Sequence, residues 1–403
     1  MSVNFYYTQR LRGFQQQSIK YNGSSVRYVQ KRTKFQCDHC GSKQVSVEPQ
    51  SSRRVHGEPM GCCHEVIFEF TPHRLYCPNC KTRAVEHIPF WSQPWSRMTK
   101  ALERTVLELR QHMSIRAVAN YFHWRWHSTR ELEKNHFHKR FSRIQTAHVK
   151  AIGIDEIHVG RGMQNPQFLT IVRDLKSGAV IHAGDGKGVN ALAGALKKLK
   201  KSKLRVVTMA MANAYYSWVS ENFPEAKIVF DHFHVVKLMN DKLDKVRKRV
   251  TAKLDATQQK QLKGLRFIFL KNNEDLPADA KSILRNRRGD FQDLGDVYMF
   301  KEALRMIYSR SKTAYHAKIA FHRGIKLAEE TQIPELKTMA RTIRSKLDGI
   351  VSFWTFRHIS NAKMEGVNNK IRWLFKPVYG FRDREYCKLK IDQLPEIPSV
   401  KEL

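Results

Sequence analysis

Between Val149 and Val159 the chain reads Val-Lys-Ala-Ile-Gly-Ile-Asp-Glu-Ile-His-Val, apolar almost without a break until the acidic pair Asp155-Glu156. This pattern predicts a central strand buried on both faces. Phe168 to Val172 and Ala179 to Ala183 predict two more strands, with Lys176-Ser177-Gly178 as the hairpin turn between them. Val189 to Lys200 predicts a crossing helix with a basic end, Leu204 to Met209 a fourth strand, Ala214 to Phe223 a short helix, and Ala226 to Phe230 a fifth strand ending at Asp231.

Three strands, a helix, a strand, a helix and a final strand is the order of a ribonuclease H-like domain, placed here at residues 147–235. Upstream, Met98, Leu102, Val106 and Leu109 recur at helical spacing. A second helix follows Ser114, a suitable N-cap, with Ile115, Val118, Ala119 and Phe122 on one face. The aromatic turn His123 to His127 leads to a third helix, capped by Ser128 or Thr129 and carrying Arg130, Lys134, His136 and Lys139. Residues 93–146 therefore predict a helix-turn-helix that reads DNA, although a plain three-helix bundle shares the pattern. Residues 236–354 contain no strand pattern and predict a helical insertion whose basic positions, among them Arg247, Lys248 and Arg249, could follow DNA or simply face solvent. The catalytic domain resumes at 355–386 with a helix that starts near Asn361 and has Met364, Val367, Ile371 and Leu374 as its core stripe. Residues 387–403, with Pro395 and Pro398, predict an extended tail, and residues 1–32 a basic, aromatic arm or docked extension without a clear period.

Four of the seven cysteines form two Cys-x-x-Cys pairs, Cys37 with Cys40 and Cys77 with Cys80, the ligand set of one tetrahedral Zn²⁺. A zinc-ribbon-like finger is expected at 33–92. The 36 residues between the pairs exceed the ribbon spacing of about 15 to 20, so an inserted hairpin is required. Cys62, Cys63 and His64 lie in that insert, as substitute ligands or as small buried side chains. The fold class is thus multidomain, α+β and α/β.

Charge changes the picture most. Seventy-two Lys plus Arg stand against 37 Asp plus Glu in 403 residues, a net charge of +35, so a polyanion is the expected partner, nucleic acid before an anionic membrane. No run approaches the ~18 apolar residues of a membrane span and no signal-peptide core opens the chain, so a cytoplasmic protein is expected. Against this cationic background a carboxylate needs a reason. Asp155, on a buried strand, is costly unless it meets a cation, and a divalent metal at a phosphate supplies one; capping of a turn is the plainer alternative. Glu365 shares a polar helix face with Asn369 and Arg372, at i, i+4 and i+7.

Gly153-Ile154-Asp155-Glu156, the stretch Phe223-Pro224-Glu225-Ala226 running on to Asp231-His232-Phe233-His234-Val235, and Ser360 to Arg372 followed by Tyr379-Gly380-Phe381-Arg382 resemble the DDE transposases of bacterial insertion sequences, the ISL-three group above all. The resemblance implies an acidic triad holding two Mg²⁺ or Mn²⁺ ions, with Asp155 first and Glu365 last, and Asp231 and His234 as support. It also implies double-stranded DNA partners, terminal inverted repeats and target, and a homodimer or higher oligomer on DNA. One position departs from the family. Met209-Ala210-Met211 puts Ala210 where the second acid belongs, and a methyl group binds no metal, so cleavage and strand transfer are expected to be severely impaired. Ala210 is either an introduced substitution or the decay of a natural copy; if Asp231 were the second acid, the chain would be active as it stands. The rival class is a sequence-specific DNA-binding protein that kept only the recognition modules.

Overall fold

Phe14–Asn22 (β1) and Ser25–Arg32 (β2) pair as an antiparallel hairpin turning at Gly23, whose φ of +60° suits glycine. The computed structural model describes residues 6–394 except 8, 94–95, 142–144, 160–167, 255, 257–258, 260–264, 279–280, 282–291, 357–361 and 376–382. The expected N-terminal arm is therefore replaced by a folded hairpin over most of its length. The register shifts between Gln16 and Ser18, and such a bulge interrupts the alternation by which a strand is recognised in sequence.

The chain divides into two compact units, residues 1–142 and 143–397. In the first, β2 runs parallel to Glu65–Phe70 (β5), which also pairs antiparallel with Arg53–Gly57 (β4). Phe14, Val26, Val55, Val66, Phe68, Phe70, Phe90 and Trp91 form the core of this sheet, and Cys63 packs among them. A second sheet joins Ser46–Pro49 (β3), His73–Tyr76 (β6) and Arg83–Val85 (β7) in the order β3-β6-β7. The long spacing between the cysteine pairs is explained by β4 and β5, an inserted hairpin that pairs with the N-terminal strands.

The four sulfurs of Cys37, Cys40, Cys77 and Cys80 lie within 4.8 Å of one another, with Cys37 to Cys80 and Cys40 to Cys77 at 3.5 Å. Tetrahedral thiolates at about 2.3 Å from one ion stand about 3.8 Å apart, so the group fits a single Zn²⁺. Each pair closes a similar turn, with Gly41 at φ +73° and Lys81 at φ +56° directly after the second cysteine. The Thr82 hydroxyl and backbone hold the Cys80 thiol down at about 6, whereas Cys40, although lowered by the Ser42 backbone hydrogen bond, is pushed up to about 11 by Cys77 and by burial. Cys62 and Cys63 do not join this group, and Cys63 is buried in the apolar core.

Three helices follow, Lys100–Leu109 (α1), Ile115–Tyr121 (α2) and Trp126–Phe141 (α3). Thr99 caps α1 by accepting from Leu102 N, and Ser114 caps α2 by accepting from Ala117 N, as expected of that serine. The third helix starts earlier than Ser128: Thr129 is fully buried on its inner face, in one stripe with Glu133 and Phe137. Glu133 and Arg110 form an ion pair at 3.0 Å that is 2% and 8% exposed and ties α3 to the end of α1.

The second unit is built on Ala151–His158 (β8), Phe168–Asp174 (β9), Val180–Asp185 (β10), Val206–Met209 (β11) and Lys227–Phe230 (β12), ordered β10-β9-β8-β11-β12. All five strands stand where the hydrophobic runs place them, with β9 antiparallel to both neighbours and β8, β11 and β12 parallel. The expected crossing helix begins as a 3₁₀ turn, Val189–Leu192, before Ala193–Leu199 (α4). Gly184 is required beneath it, because a Cβ there would lie 1.9 Å from Ala191 O. Asn213–Asn222 (α5) connects β11 to β12.

His232–Thr251 (α6), Leu265–Leu270 (α7), Gln292–Arg310 (α8), Ala314–Glu330 (α9), Pro334–Ser345 (α10) and Leu347–Thr355 (α11) form the helical insertion. It shares one continuous core with the sheet: Ile152, Ile154, Val207, Phe230, Val235, Leu304, Phe321 and Ile350 belong to a single cluster. On the opposite face, Ala362–Phe375 (α12) and Arg384–Gln393 (α13) cover the sheet through Val367, Ile371, Cys387 and Ile391, packed on Ile157, Ile171 and Val180. Residues 387–393, expected as the start of a tail, thus belong to a docked helix, Asp383 capping it by accepting from Tyr386 N; Pro395 and Pro398 lie outside the described residues.

Two outcomes are expected in the N-terminal unit. The purified protein should contain one zinc per chain by elemental analysis, and Cys77→Ser should abolish it and unfold the finger, as read by protease sensitivity. Glu133→Ala removes the carboxylate that faces the buried Arg110 guanidinium and should destabilise the unit by about 3 kcal/mol in denaturant melts.

Candidate active site at the carboxyl edge of the central sheet

The register of the parallel strands places the site. Met209 on β11 pairs with Ile154 on β8 and with Phe230 on β12, and Asp231 N donates to Met209 O at 3.4 Å. One residue beyond these paired positions come Asp155, within β8, and Ala210 and Asp231, directly after β11 and β12. The hydrophobic runs ended at these residues, and the ladder brings the three ends to one edge.

Asp155 lies on the face covered by α12, because side chains alternate across a strand and Ile157 packs on that face. Its side chain is 20% exposed. Oδ1 accepts from Glu156 N at 2.8 Å, Oδ2 accepts from Asn368 Nδ2 at 2.5 Å, and His234 Nε2 lies 3.7 Å from Oδ1. Among the described residues no Lys or Arg pairs with this carboxylate. Asn368 is 5% exposed, and its Oδ1 is buried with no hydrogen-bond partner among the described residues. A carboxylate with no Lys or Arg partner among the described residues, beside an unsatisfied buried oxygen, is a donor set that suits a divalent cation and its water.

Glu156 points to the other face. Tyr215 Oη donates to it at 2.7 Å and Lys187 Nζ pairs with it at 3.1 Å. Burial first, and the Glu156 hydrogen bond second, push the Tyr215 hydroxyl up to about 12.

The other sequence candidates fall into three groups. Asp231 is the N-cap of α6, accepting from Phe233 N at 3.2 Å with His232 Nδ1 at 3.3 Å, and in that first turn it sets His234 toward Asp155. Ala210 is half-buried at the end of β11 and offers no ligand atom. Glu365 lies in α12, and its side chain is outside the described residues, as are Tyr379 to Arg382. Asn369 and Arg372 are exposed and bond to each other, Arg372 Nη1 donating to Asn369 Oδ1 at 2.8 Å.

The residue that reaches Asp155 is Asn368, which the sequence reading passed over. Its signal was a polar amide between the core positions Val367 and Ile371, one turn after Glu365.

The basic candidates also separate. Arg249 is an internal tie, bonded to both oxygens of Glu335 at 3.0 and 3.1 Å and to Asp293 at 3.1 Å, which joins α6 to α10 and α8. Arg247 and Lys248 share Asp244 at 2.8 and 3.0 Å. Arg249, expected on a DNA-following face, is therefore committed to packing the helical layer. On α3, Arg130 lies over the Trp126 ring at 5.1 Å and pairs with Glu131, Trp126 is 54% exposed, Lys134 is half-buried, and Lys139 is exposed toward the end of the helix.

The chain is 27% identical over 362 residues to the transposase for insertion sequence element IS1001 of Bordetella parapertussis, covering 88% of this chain and 87% of that protein. It is 26% identical over 377 residues to the transposase for insertion sequence element IS1557 of Mycobacterium tuberculosis, covering 86% and 82%. The family model for ISL3-type DDE transposases, described as "Transposase", matches residues 152–391, from the first residues of β8 through α13. A match over more than half of the chain, starting three residues before Asp155 and enclosing Ala210 and Glu365, makes this protein a member of the ISL3 family of DDE transposases.

Proposed function

We propose that the chain is an insertion-sequence transposase that binds the terminal inverted repeats of its element, assembles on them as an oligomer, and has a phosphoryl-transfer site lacking its second acid. Membership of the family carries the general reading; the alignment of Asp155 with Ala210 on adjacent strands carries the specific one. The sheet order β10-β9-β8-β11-β12, with β9 antiparallel, supports a ribonuclease H-like catalytic domain. The short turn between α2 and α3, with His123 at φ +54°, supports a helix-turn-helix in which α3 presents Trp126, Arg130 and Lys139 to DNA.

Asp155 and Glu365 would hold the divalent ions, which supply charge neutralisation at the scissile phosphate and an activated water or 3′ hydroxyl for in-line displacement. The chain's own residues do the rest. The β8 ladder holds Asp155 at the sheet edge, α12 carries Glu365 one turn before Asn368, the amide that reaches Asp155, and His234 stands beside Asp155 from the first turn of α6. Asp231, engaged in capping α6, serves as support and not as the second acid. At Ala210 the edge presents only a methyl group, so DNA can be held while strand cleavage lacks a ligand. The reading as a DNA-binding protein without catalysis draws on this same alanine.

Ala210→Asp should raise Mg²⁺-dependent nicking of a terminal-repeat duplex by more than about 100-fold over the parent chain, since an inner-sphere ligand should matter more than an outer-sphere partner. If nicking does not rise, and Asp231→Ala removes whatever activity the parent has, position 231 is the second acid instead. Binding of the same duplex should weaken roughly 10³-fold or more between 50 and 200 mM salt, as for a protein making six to ten phosphate contacts. Lys139→Ala should lower the salt slope by about 1, while Arg249→Ala should lower stability and leave the slope unchanged.

A further inference from the structure

We infer that Asn368 is the positioning residue of the metal site: its amide aims the Asp155 carboxylate and registers the Glu365 helix against β8. The inference rests on the reading of Asp155 as a metal ligand and assigns how that ligand is held.

Four observations carry it. Asn368 Nδ2 donates to Asp155 Oδ2 at 2.5 Å across 213 residues of sequence, which joins α12 to the central strand. The amide cannot swing away, because Asn368 is 5% exposed and its neighbours Val367 and Ile371, 5% and 0% exposed, are locked in the core against Ile157 and Ile171. The donor is neutral. A Lys or Arg in its place would cancel the carboxylate charge and compete with a cation, whereas an amide N–H fixes the orientation and leaves the charge available. With one oxygen of Asp155 engaged by Asn368, the other faces His234 and the carboxyl edge.

The amide's own Oδ1 has no partner among the described residues, and an unsatisfied buried acceptor is costly. Reversing the amide would satisfy nothing, since it would set Oδ1 against a carboxylate oxygen. The orphan acceptor is the trace of a site completed by a donor from outside the chain, such as an ordered water accompanying a cation. Glu365 precedes Asn368 by three residues on one helix, so the same hydrogen bond also fixes that turn of α12 against β8.

The test uses Mn²⁺ as probe and the full-length Ala210→Asp protein as parent, with binding read from free-Mn²⁺ paramagnetic resonance and folding from thermal melts. Asp155→Ala should abolish site binding. Asn368→Leu, which fills similar space without a donor, should weaken Mn²⁺ binding by about 10- to 100-fold at an unchanged or raised melting temperature. Asn368→Ala should weaken it at least as much. Mn²⁺ affinity within twofold of the parent in the Leu variant, with Asp155→Ala still abolishing binding, overturns the positioning role alone. Binding that survives Asp155→Ala overturns the metal reading of Asp155, and the role of Asn368 with it.

Discussion

The second unit is organised around one constraint: β8 is covered on both faces, so its half-buried acidic pair must find partners inside the protein. A charge in such a setting is costly, and little water reaches it. Strand alternation divides the acidic pair between the two sides. Glu156 meets Tyr215 and Lys187 on the face of the helical insertion, and Asp155 meets Asn368 and His234 on the other. One acid is paired with a tyrosine and a lysine, the other with an amide and a histidine. This difference in partners follows from the parity of two adjacent residues.

The covering layers obey the same constraint. The insertion packs its apolar stripes into the core that holds Ile152, Val207 and Phe230, and Gly349 allows α11 to lie directly on the Phe230 ring. That close packing also decides the fate of some cations. Arg249 is fixed between Glu335 and Asp293, so it holds three helices together, and Lys301, fully buried, reaches the carbonyl of Phe269 at the end of α7 and the Tyr298 ring. In a chain of net charge +35, a basic residue in sequence is therefore not automatically a phosphate contact. On α3, Thr129, Glu133 and Phe137 are buried on the inner side, and Lys139 is exposed toward the end of the helix.

The N-terminal unit meets a different difficulty, that of a small domain with limited apolar surface. Two devices compensate. The aromatic cluster around Phe68, Phe70 and Phe90 fills the first sheet, and four cysteines gather where the second sheet turns. The inserted hairpin of β4 and β5 belongs to the first device although it lies, in sequence, within the second.

Much of this was legible in the amino-acid sequence because it depends on local periodicity. The five strands of the central sheet, the capping serine at Ser114, the cysteine pairs and the absence of a carboxylate at position 210 are all properties of short segments. What failed to be legible depended on partners distant in the chain. A bulge hid β1 and β2, burial of Thr129 moved the start of α3, and α13 docks on β10 where composition suggested a tail. Asn368 was missed for the same reason: helical spacing ranks Asn369 with Glu365 on an exposed face, and only the packing of α12 on β8 turns the neighbouring amide inward to a carboxylate 213 residues away. The sequence by itself determined which acids exist and that position 210 carries none. Tertiary structure decided which surviving groups share an edge, because strand register and the rotation of a helix about its axis are set by long-range burial, which no local pattern encodes.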